Sequence, residues 1–165
     1  MNRDHRDDRL DAMGPRIFIR GFVLALVLLG GCAATQPADG LPTVQMTIGS
    51  RTYTLEIANT VATQERGLMR RDSMPSDHGM IFVFATEGPR SFWMHNTRFD
   101  LDIIYIAASG KIVSIKHMKA YDETSVPSDG PVKYAIELNA GQAALTGVKP
   151  GDVLSIPAAA QQAKE

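Results

Sequence analysis

Residues 92–97 read FWMHNT: two aromatic rings, a thioether, an imidazole, an amide and a hydroxyl in succession. On a strand, side chains alternate between faces. Phe92, Met94 and Asn96 then share one face, and Trp93, His95 and Thr97 the other. Trp93 is the only tryptophan in the chain, and Asn96 is an amide on an otherwise apolar face. A buried amide needs partners for both its halves, so the stretch reads as a strand leading into one wall of a site. Two acids are the other anomalies. In KYAIELNAG, Glu137 shares a face with Ala135 and Asn139, while Tyr134, Ile136 and Leu138 share the other. It is either a solvated strand residue or a cleft acid with a raised pKa. In DLDIIYI, Leu101, Ile103 and Tyr105 form the apolar face, and Asp102 caps a turn or points into a site. Arg66 and Arg71 in RGLMRR are the natural counter-ions, though surface positions would explain them equally. The candidate ligand-binding set is Arg66, Met69, Trp93, Met94, Asn96, Asp102 and Glu137, with Asp102 and Glu137 the candidate catalytic pair.

Other chemistries leave no trace. GxGxxG after a strand, GxxxxGK[ST], HExxH, GxSxG and CxxC are all missing. His78, His95 and His117 are scattered without ligand spacing, so no metal and no cofactor is expected. A formal net charge of -1 over 165 residues argues against nucleic-acid binding, which needs a basic face.

The elements that must position these residues are strands. Val44, Met46 and Ile48 alternate with polar neighbours, Gly49-Ser50 turns, and Tyr53, Leu55 and Ile57 alternate again: a hairpin. NTVATQERGLMRR predicts a short helix, capped by Asn59, Thr60 or Thr63 and ending near Gly67. GMIFVFA is a buried strand, and LDIIYIAASGKIVSIKHM a hairpin about Ser109-Gly110. KAYDETSVPSDGPV is a long loop, KYAIELN a strand, AGQAALTG a helical turn closed by Gly147, and KPGDVLSI a turn into a last strand. About eight short strands and one or two short helices predict a mainly β fold: a small, bent antiparallel sheet or barrel-like domain. One domain over 43–157 is expected, followed by a disordered tail, 158–165.

The N-terminal part has a different character. Arg16 and Arg20 precede an apolar run from Gly21 to Gly31, too short to cross a bilayer and laid out as a secretory signal over residues 1–31. It ends in LGGC, and Cys32 is the only cysteine. This resembles the lipobox of bacterial lipoproteins, which implies cleavage before Cys32 and its acylation. Ala33, with no Asp after the cysteine, then implies delivery to the periplasmic face of the outer membrane; the alternative is a soluble periplasmic protein. Residues 32–42 read as a lipidated tether. The charged stretch before Met13 suggests Met13 as a more usual start than Met1. From Cys32 onward, twelve basic and fourteen acidic side chains remain and no second cysteine, so the core alone must hold the domain.

RGLMRR (66–71), GMIFVF (79–84), FWMHNT (92–97), LDIIYI (101–106), AIELNAG (135–141) and the closing GVKPGDVL occur in that order. Together, over about 44–156, they resemble domain-of-unknown-function family 192. The resemblance implies a small β-rich, barrel-like and often exported domain, and no reaction. His95 stands where the family usually has Lys, and Asp100 where it usually has Pro before LDI. Three functions stay open: a binding module for sugars or cell-wall fragments, an accessory lipoprotein that binds an envelope protein, and an envelope hydrolase using Asp102 and Glu137. Oligomeric state is left open.

Overall fold

The computed structural model describes residues 40–164. The signal segment, Cys32 and most of the tether lie outside the described residues. Eight strands form: β1 (Thr43–Ile48), β2 (Arg51–Ala58), β3 (His78–Gly88), β4 (Ser91–Phe92), β5 (Leu101–Ile106), β6 (Ile112–Met118), β7 (Val126–Pro127) and β8 (Val132–Asn139). Two short helices, α1 (Val61–Arg66) and α2 (Gln142–Thr146), complete the mainly β fold.

Six strands make one mixed sheet in the order β1-β2-β3-β8-β5-β6, and β4 pairs with β7 in a second, two-stranded sheet. Every pair in the large sheet is antiparallel except β2 and β3. That parallel pair is joined by a crossover through α1, as parallel neighbours require. The sheet ends in two edges, β1 and β6, and does not close into a barrel. Among the described residues, no helix is long and apolar enough to cross a membrane.

Local chemistry explains the elements. Thr60 caps α1 by accepting from the Thr63 backbone N–H, while the Thr63 hydroxyl oxygen accepts from the Thr60 N–H. Gly49 turns the β1–β2 hairpin at φ 56°, and a Cβ there would stand 2.1 Å from the Thr146 carbonyl oxygen. Only glycine meets both conditions. The strands β5 and β8 are largely apolar because both faces of the sheet are covered there, and Asp102 and Glu137 interrupt them. One face packs around Ile57, Ile81, Ile104 and Ile136, the other around Met80, Phe82, Ile103 and Tyr105. Each fully buried side chain of this kind contributes ~1.5–3 kcal/mol.

Three expectations change. FWMHNT is strand only at Phe92; residues 93–100 are loop. KPGDVLSI forms a single bridge, Val153 to Lys111, instead of a strand. The segment expected to fray carries a 3-10 turn, Ala158–Ala160, with Ala160 wholly buried. Its small alanines fit against the core, and Asn59 ties it down. The Asn59 amide donates to the Gln162 carbonyl, and the Lys164 N–H donates to the Asn59 carbonyl.

Candidate functional site

Glu137 sits on β8, between Met80 of β3 and Ile103 of β5. Residues paired across strands share a face. Glu56, Met80, Glu137 and Ile103 therefore form one row, on the methionine- and aromatic-rich face. Glu137 is 4% exposed, and burial pushes its carboxyl up to about 8. Arg71 opposes that shift without cancelling it. The Arg71 guanidinium is committed elsewhere: it donates to both oxygens of Glu56, at 2.5 and 2.8 Å. No described residue donates a hydrogen bond to Glu137.

What Glu137 meets instead is a slot of about 40 Å³. The end of α1 and the turn after it supply Gln64, Glu65, Arg66 and Met69; β3 supplies Phe82; Phe92, Trp93 and Thr97 close the other side. The rings hold one another in place. Phe92 stands edge-on to Phe82 at 4.8 Å and to Tyr105 at 5.8 Å. The Tyr105 hydroxyl donates to the Val126 carbonyl, which anchors β7 and, through it, β4. Burial foremost, then the nearby Glu137 charge, pushes the Tyr105 phenol up, so it stays a neutral donor. Trp93 is half exposed and stacks on His95 at 4.9 Å, and His95 contacts Glu123. A shallow groove of about 240 Å³ continues from the slot past Trp93, Phe84 and Arg90. A hollow of about 290 Å³ lies beside α1, but its charges, Glu56 and Arg71, already satisfy each other.

Of the expected site residues, Arg66, Met69, Trp93 and Glu137 come together. Three do not. Met94 is 1% exposed and belongs to the core. Asn96 has φ 54°, in the left-handed region that asparagine tolerates, so its turn explains the residue type. Asp102 pairs with Leu138 and lies on the opposite face of the sheet from Glu137. One Asp102 oxygen accepts from the Ala143 N–H of α2 at 3.0 Å, and the other lies 3.4 Å from His117 Nδ1. Asp102 and Glu137 cannot flank one substrate bond, which removes the hydrolase built on that pair. Gln64, Glu65, Phe82, Phe92 and Thr97 were missed; all lie within the motifs read from the sequence, but nothing in their spacing marks a shared slot. Among the described residues, no cluster of three or more His, Cys, Asp or Glu is placed to hold a metal ion.

Comparison with known proteins gives kinship without a reaction. A protein of unknown function from Novosphingobium aromaticivorans DSM 12444 is 37% identical, with TM-score 0.68, over 74% of this chain and 91% of that one. A candidate transcription regulator from Sinorhizobium meliloti 1021 is 38% identical, with TM-score 0.58, over 68% of this chain and 91% of that one. No curated protein matches the chain. The model of domain-of-unknown-function family 192, described as "Uncharacterized ACR", matches residues 44–156, and the chain belongs to that family.

Proposed function

We propose that this chain is a small-ligand-binding module, tethered in the envelope by a lipid on Cys32, whose ligand is a sugar or cell-wall fragment. One observation carries the reading: Glu137, which is 4% exposed and accepts no hydrogen bond from a described residue, lines an aromatic slot. An unpaired buried polar group is costly, and a ligand would supply the missing partner. The slot, at about 40 Å³, has room for a small polar group, since about 10–15 Å³ of such space already holds a water. A sugar ring would stay outside in the groove against Trp93, whose apolar face suits it. Nucleic acid does not fit a site with two acids on its lining.

The full-length chain in detergent, tested by thermal shift against envelope sugars and peptidoglycan fragments, checks this. Ligand at about 100 times its Kd should add ~2.7 kcal/mol. The shift should disappear in Trp93→Ala and Glu137→Gln while both variants stay folded. No shift with any compound would abandon the reading for a second one, a protein partner. That alternative is favoured by exposed Trp93 and Tyr121, which sit on loops joined by the Tyr121 N–H to the Thr97 carbonyl.

A further inference from the structure

We infer that the slot over Glu137 is built for a primary ammonium group, carried at the end of a small hydroxylated ligand. This rests on the binding-module reading and names the group that anchors the ligand. The polar atoms of the slot are mostly acceptors. Glu137 and Glu65 bring carboxylates. Gln64 spends its amide nitrogen on the carbonyls of Val83, at 2.7 Å, and Ala58, at 3.5 Å, which leaves Oε1 as its free atom. The Thr97 hydroxyl donates to the His95 carbonyl at 3.4 Å, which leaves its lone pairs. Besides Gln64 and Thr97, whose donors are already spent, the lining has two side-chain donors, Arg66 and the indole N–H of Trp93, and both residues are exposed to solvent.

An ammonium carries three donors and no acceptor. It therefore complements this lining better than a hydroxyl does. Three rings, Phe82, Phe92 and Trp93, border the same space, and aromatic faces attract cations. The narrow slot, about 40 Å³, suits a slender aminomethyl end.

The proton balance follows. Unliganded, Glu137 keeps its proton up to about pH 8 because it is buried. An entering ammonium favours the carboxylate, so Glu137 releases its proton to solvent and the ligand's N–H groups replace it. Other charges face this acid. Glu65 and Arg66 lie at the end of α1, Arg71 beyond it is paired with Glu56 of β2, and neutral Tyr105 lies on β5. In β6, Lys116 pairs with Ile103 across the strand and is held by Asp129. These three cations are exposed (Arg66) or already paired (Arg71 and Lys116), so Glu137 remains the group whose charge the ligand changes.

Calorimetry on the full-length chain in detergent tests this with 6-amino-6-deoxyglucose and glucose. The amino compound should bind more tightly than glucose, and tighten about tenfold or more from pH 6 to pH 8. At pH 6, titrations in two buffers of different ionisation enthalpy should show the uptake by buffer of nearly one proton per ligand. Glu137→Gln, checked for an intact melting transition, should abolish the preference, the pH dependence and the proton release. Glucose binding as tightly as the amine, both requiring Trp93, would overturn the ammonium assignment and leave the binding module standing. Amine binding without proton release, or unchanged in Glu137→Gln, would overturn it too. Binding of neither compound would take down both readings.

Discussion

Glu137 and Asp102 are buried acids on adjacent central strands, yet the two faces of the sheet treat them differently. On one face, Asp102 accepts a backbone N–H from the start of α2 and lies beside His117. On the other, Glu137 lies among methionine and aromatic side chains, with no hydrogen-bond donor among the described residues and a slot in front of it. A buried acid that receives hydrogen bonds is explained by the fold it holds together. A buried acid that receives none leaves its cost unexplained by the fold. The contrast separates structure from function more sharply than residue type does.

The largest expected effect is on the pH dependence of stability. The folded protein keeps the Glu137 proton to about pH 8, whereas the unfolded chain releases it near 4.5. Stability should therefore fall as pH rises through that window, by on the order of 3–5 kcal/mol, and level off above it. Glu137→Gln should flatten this fall in urea unfolding at pH 5 and pH 8. An equally steep fall in the variant would mean that Glu137 is not held protonated.

Next comes Asp102→Ala, which strands the Ala143 N–H and should cost ~2 kcal/mol at pH 7 by urea unfolding. Asp102→Asn keeps an accepting oxygen and should cost about half as much. A loss below ~0.5 kcal/mol for the alanine variant would mean that Asp102 does not hold α2, and the contrast between the faces would collapse. The double variant Asp102→Ala/Glu137→Gln should equal the two single effects within ~0.5 kcal/mol, because no contact joins the two carboxyls. A larger departure would reveal coupling through the sheet. The smallest effect belongs to Trp93→Ala. Its side chain is half exposed, so stability should move by ~1 kcal/mol or less in the same assay. A much larger loss would recast Trp93 as a packing residue instead of a wall of the slot.

Much of the framework was legible in the sequence. Period-two alternation marked β1 and β2, the unbroken apolar run marked β3, and capping chemistry put the start of α1 at Asn59, Thr60 or Thr63 and its end near Gly67; Thr60 and Gly67 are the caps the fold uses. The failures share a cause. FWMHNT has strand-like residues but adopts loop geometry, because Met94 is drawn into the core while Asn96 takes a left-handed turn. The alanine-rich end looked frayed because small side chains carry little local signal, yet Ala160 has a tight place in the packing.

By itself, the sequence determined the main strands of the large sheet, their turns and the two acids that break the apolar pattern. These are local matters of backbone propensity and hydrophobic period. The tertiary structure alone decided which face each acid occupies relative to the other. Alternation along one strand is blind to register with the next. Only the insertion of β8 between β3 and β5, with Glu137 opposite Ile103 and Asp102 opposite Leu138, sent the two carboxyls apart. The slot was decided the same way. Its walls come from α1, β3, β4 and the loop after β4, and long-range packing is what brings them within reach of one buried carboxyl.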